Sequence, residues 1–91
     1  MRRDLDASIT LRVASRDDRE VLFRLAALDS ARALRGKALL ACVDDAPRAA
    51  LSLADGRVVA DPFHPSDDLV ALLRVRATAL ALGQGPRRAA A

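Results

Sequence analysis

The spacing of hydrophobic and polar positions changes several times along these 91 residues, and each change marks an element. Residues 8–14, Ser-Ile-Thr-Leu-Arg-Val-Ala, alternate. Ile9, Leu11 and Val13 share one side, Thr10 and Arg12 the other. A period of two predicts a half-exposed strand at a sheet edge. From Asp17 to Asp29 the period becomes 3.6, with Val21, Leu22, Leu25, Ala26 and Leu28 on one arc. That pattern predicts a first helix. Ser15 stands at its N-cap, and Asp17 and Asp18 suit the positive end of its dipole. Asp29-Ser30 predicts the cap of a short second helical turn, Ala31 to Leu34, ended by Gly36.

Residues 38–43, Ala-Leu-Leu-Ala-Cys-Val, are apolar without alternation, as in a central strand covered on both faces. Asp44-Asp45-Ala46-Pro47 predicts a turn and Arg48 to Leu53 a third strand. Asp55-Gly56 signals a hairpin, and Arg57 to Asp61 a fourth strand. Pro62-Phe63-His64-Pro65 breaks that strand. Ser66 caps a last helix running to Leu82, where Gly83-Gln84-Gly85-Pro86 predicts a stop. The expected fold is α+β: a four-stranded, mainly antiparallel sheet packed with helices, in β-α-α-β-β-β-α order. Residues 8–82 form one domain, between a flexible N-terminus over 1–7 and a flexible basic tail over 83–91.

Composition narrows the function classes. Hydrophobic residues make up 52% of the chain, so it is not a disordered type. With two aromatics, Phe23 and Phe63, the core must be built from Leu, Val and Ala. The net charge of +3 owes much to Arg2, Arg3, Arg87 and Arg88 near the ends. In between the signs alternate, as in Arg16-Asp17-Asp18-Arg19-Glu20. That is a solvated helix surface, not the concentrated basic footprint of a nucleic-acid binder. The four terminal arginines suit an anionic partner held in a salt-sensitive way. The single cysteine, Cys42, lies in an apolar run and reads as a small buried hydrophobe. No apolar run reaches the ~18 residues of a membrane span, and no apolar signal segment opens the chain. A cytoplasmic location is therefore expected, with no membrane partner.

The ordered set of segments resembles the N-terminal half of the GNAT acyltransferase fold across about residues 8–82. Ile9-Thr-Leu-Arg-Val-Ala-Ser-Arg-Asp-Asp18 is similar to that family's opening strand and acidic helix start. Arg24-Leu-Ala-Ala-Leu-Asp29 is similar to its first helix, and the segment from Leu39 to Leu53 to its first hairpin. The resemblance implies acetyl-CoA and transfer of its acyl group to an amine. In that family the fourth strand enters a glycine-rich loop whose N–H groups and following helix N-terminus hold the pyrophosphate. Here the junction reads Asp61-Pro62-Phe63-His64-Pro65-Ser66-Asp67-Asp68. It has no glycine, two prolines without N–H groups, and two acids where phosphates would sit. The family's fifth strand, which flanks acetyl-CoA, also has no counterpart in the sequence. No cofactor residue carries over, and no cofactor is expected.

Among single residues, His64 is a candidate general base, but no second His or Cys joins it for a metal. Ser66 is explained by its helix-cap position. Arg76 lies within the apolar arc of Leu69, Leu72, Leu73, Val75, Ala77, Ala79 and Leu80. A charge there predicts a partner carboxylate, Asp61 first and Asp29 second. The wide arc and the open edge of the fourth strand, Arg57 to Asp61, predict a homodimer through that edge or the last helix. The expected function is a non-catalytic, GNAT-like self-association or protein-interaction module. The alternative is an acetyl-CoA-dependent N-acetyltransferase or acyl-CoA binder completed by a second chain.

Overall fold

Strand β1 covers Ile9–Val13, β2 Ala38–Val43, β3 Ala46–Ser52 and β4 Val58–Ala60. Helix α1 covers Arg19–Leu28, entered through a 3-10 turn at Arg16–Asp18, and α2 covers Asp67–Ala90. The computed structural model describes residues 8–90, with side chains as far as Leu82. The N-terminal segment expected to be flexible, 1–7, lies outside the described residues. The four strands form one antiparallel sheet in the order β1-β2-β3-β4, so the chain is α+β as its pattern predicts.

The unalternating run at Ala38–Cys42 sits mid-sheet, and every one of its residues is buried. On one face Leu40, Cys42, Ala50 and Val59 pack with Leu25 and Ala26 of α1. On the other Leu39, Ala41, Ala49 and Leu51 pack with Leu69 and Leu73 of α2. β1 is a sheet edge, as its alternation predicts, but of its three apolar residues only Leu11 packs toward α2, while Ile9 and Val13 are exposed.

Local chemistry departs from the sequence reading at four places. The helical turn expected over Ala31–Leu34 is irregular backbone. Ser30 adopts φ 52° and ends α1: its N–H donates to the Ala27 carbonyl and the Ala31 N–H to the Ala26 carbonyl. This pair of bonds is a Schellman cap. The next carbonyls have distant partners, since Arg57 Nη2 donates to Ala33 at 2.6 Å and Ser52 Oγ to Arg35 at 3.0 Å. Tertiary donors hold this segment as irregular backbone.

The β2–β3 connection is also tighter than expected. Asp44 (φ 52°) and Asp45 (φ 70°) form a two-residue loop, and β3 begins at Ala46. Two positive φ values match the twist of a hairpin. Between Ala41↔Ala49 and Cys42↔Pro47 the register slips, leaving Arg48 as the extra residue of a bulge. Pro47 is tolerated at this irregular point of the ladder. β4 is shorter than expected, leaving Arg57 and Asp61 outside it.

Finally, α2 does not stop at Gly83, because its backbone stays helical to Ala90. Each glycine costs about 1 kcal/mol relative to Ala, and Pro86 removes one N–H. Neither forbids a helix, and Arg87, Arg88, Ala89 and Ala90 beyond them are strong helix formers.

Asp45 occupies a conformation that glycine adopts without a Cβ penalty. Asp45→Gly is expected to stabilise the protein by about 0.5–1 kcal/mol, seen as a higher urea midpoint. A lower midpoint would contradict the loop geometry.

Candidate functional site

The junction from β4 to α2 offers few free backbone donors. Pro62 and Pro65 have no N–H. The Phe63 N–H donates to Asp61 Oδ1 at 2.8 Å, and the His64 N–H to the Asp61 carbonyl at 3.2 Å. From 62 to 65 every backbone donor is absent or engaged. The Ser66 hydroxyl donates to the His64 carbonyl at 2.7 Å. Ser66 is therefore the N-cap by position: its carbonyl accepts the Val70 N–H at 2.9 Å, the first bond of α2. Its hydroxyl tightens the turn instead of accepting from the helix.

Asp61 organises this junction. It is buried, and Arg48 Nη1 donates to its Oδ2 at 3.0 Å. The bulge presents Arg48 here, and the Asp61 N–H closes the ladder onto the Arg48 carbonyl at 2.8 Å. The pair is imperfect, since Arg48 Nε is buried without a partner. The expected partnership of Asp61 with Arg76 does not form. Arg76 is exposed and makes no ion pair among the described residues. The second expected partner, Asp29, instead accepts the Ala60 N–H at 3.1 Å. The physical reason lies in α2: the sheet covers only the Leu69, Leu73, Ala77 and Leu80 part of the arc, and Arg76 lies outside that part, in solvent.

His64 is half-buried, and its ring makes no hydrogen bond among the described residues. No cluster of metal-ligating side chains occurs among the described residues. No helix of the described chain is long and apolar enough to cross a membrane.

A second polar centre lies where β1 meets α1. Asp18 is buried, and its carboxylate accepts two bonds from the Arg12 guanidinium, at 2.7 and 2.9 Å. It also accepts the Ser15 N–H at 2.7 Å and the Ser15 hydroxyl at 3.1 Å. Ser15 thus holds the predicted cap position, with Asp18 as the acceptor reaching back to it. Arg12, aided by the Ser15 donors, holds the Asp18 carboxyl well below the ordinary carboxylate range. Burial pushes the Cys42 thiol up, which leaves it a poor nucleophile at neutral pH.

The outer face of α2 is the third feature. Leu69 and Leu73 are buried, and Ala77 and Leu80 continue that seam along the sheet. Val75 is 67% exposed and Leu82 62%, with Leu72 and Ala79 exposed beside them. These four form a stripe at i, i+3, i+7 and i+10, on the side of the helix away from the sheet. The sequence shows the breadth of the apolar arc; only the structure shows which part the sheet consumes.

Asp18 yields a pH-dependent expectation. A carboxyl whose folded pKa is depressed adds stability above its unfolded pKa, near 4, and loses it as pH falls toward the folded value. Asp18→Asn should cost about 2 kcal/mol at pH 7 and flatten the loss of stability below roughly pH 5. Acid unfolding with an unchanged profile would contradict this role. Comparison with protein-family models, curated proteins and solved structures returns no match.

Proposed function

We propose that this chain is a GNAT-like half domain that works by self-association through the outer face of α2, and not by acyl transfer. The element order supports the kinship, as does the placement of α1 and α2 on opposite faces of the sheet. The absent or engaged backbone donors from Pro62 to Pro65 argue against a bound pyrophosphate. The observation that carries the reading is the exposed stripe of Leu72, Val75, Ala79 and Leu82.

A seven-residue apolar repeat on a helix is the pattern of helix–helix packing. This one suits a second copy of itself. In an antiparallel two-fold pair centred near Ala77, Leu72 meets Leu82 and Val75 meets Ala79, each contact occurring twice. The small Ala79 near the centre allows close approach. The fourth-strand edge is a poorer surface. It is three residues long, and Asp29 already occupies the Ala60 N–H.

Sedimentation equilibrium should give a dimer at micromolar concentration, and the double variant V75E/L82E a monomer with unchanged circular dichroism. A monomeric wild type at high micromolar concentration, or a dimeric variant, would overturn self-association through this face. Millimolar acetyl-CoA should leave the melting temperature unchanged. A rise of several degrees would restore the acyl-CoA reading.

A further inference from the structure

A cleft of about 580 Å³ opens between the start of α1 and the irregular segment before β2. We infer that it binds a small anionic amphiphile: a carboxylate or phosphate head on an apolar body. Its volume falls in the range typical of small-molecule sites, about 300–1,000 Å³. Its lining divides by chemistry. Arg16, Arg19 and Lys37 supply three cations, and Leu22, Phe23 and Leu34 supply apolar surface. No carboxylate lines the cleft.

The three cations have no internal use. None of them makes an ion pair among the described residues, whose two pairs are Arg12–Asp18 and Arg48–Asp61. Asp18, the nearest buried acid in sequence, is committed to Arg12 and Ser15. Asp17 and Glu20 alternate with Arg16 and Arg19 along the chain but do not line the cleft. Guanidinium groups pair geometrically with carboxylate and phosphate oxygens.

The apolar side has the same unfinished character. Phe23 is one of only two aromatic residues, yet it is 56% exposed. Its ring forms part of the cleft wall while Leu22 and Leu34 back onto the α1-side core. A ligand body lying there would cover Phe23 and leave its head among the cations.

The opposite wall is held in place by the anchors already described. Ser52 and Arg57 fix the carbonyls of Arg35 and Ala33, and Gly36 turns at φ 68° to bring Lys37 round. Those two bonds hold the segment over 31–36 as irregular backbone. The departure from the predicted helix is thus what shapes the cleft.

Isothermal titration of the whole chain with dodecanoate, dodecyl phosphate and dodecyltrimethylammonium, each below its micelle concentration, tests the assignment. Saturable 1:1 binding of either anion, with no binding of the cation, is expected. The two anion arms show whether a carboxylate or a phosphate head is preferred. The triple variant R16Q/R19Q/K37Q should bind at least about ten-fold more weakly with unchanged circular dichroism. R24Q/R76Q, which alters two arginines outside the cleft, should bind as the wild type does. Lys37 is the sole lysine, so bound ligand should also slow acylation of its ε-amine, read by mass spectrometry. The inference is overturned by equal binding of the cation, by no saturable binding of either anion, or by unweakened binding in the triple variant. V75E/L82E should bind normally, which keeps this result separate from self-association.

Discussion

The rest of the structure depends on burying β2 and the middle of β3 on both faces at once. Leu39, Leu40, Ala41, Ala49 and Ala50 are almost wholly removed from solvent. A sheet with two apolar faces needs two covers, and a chain of this length supplies one helix for each. α1 takes the face of Leu40 and Cys42; α2 takes the face of Leu39 and Ala41. Alanines at 38, 41, 49 and 50 let both helices approach closely, and leucines fill the space between. This core uses no aromatic ring. The cover is economical, so apolar residues are left over, on the outer face of α2 and at Phe23.

Short polar side chains then fix how the covers meet the sheet. Asp18 ties the start of α1 to β1 through Arg12, and Asp29 ties its end to β4. Asp61 joins the bulged start of β3 to the entry of α2, and Ser52 holds the segment before β2. Each stands at the end of an element and binds a partner outside it. Hydrogen bonds that involve a charge are stronger than neutral ones, and leaving a buried partner unpaired is costly. Such anchors therefore select one arrangement of a small aliphatic core.

The parts legible in the sequence are those set by periodicity. Alternation at Ile9–Val13 marked the edge strand, the continuous run at Ala38–Val43 the central one, and the 3.6 spacing α1. What could not be read depended on distant partners. The carbonyls of Ala33 and Arg35 accept bonds from Arg57 and Ser52, about twenty residues away, donors that no signal at 31–34 announces. The Arg48–Asp61 pair requires a bulge that no local signal announces. Arg76 misled because a helical wheel shows the breadth of an apolar arc without showing which part is covered. The shortage of backbone donors after β4 was legible, because a proline lacks an N–H wherever it stands.

The central claim is a division of labour on α2, with one apolar seam for the sheet and another for a second copy. Methyl relaxation by a soluble paramagnetic agent, measured in dilute and in concentrated protein, tests it most directly. Leu69 and Leu73 should be shielded at both concentrations. Leu72, Val75 and Leu82 should be strongly relaxed when dilute and become shielded on concentration. Strong relaxation of those three methyls at every concentration would contradict the account.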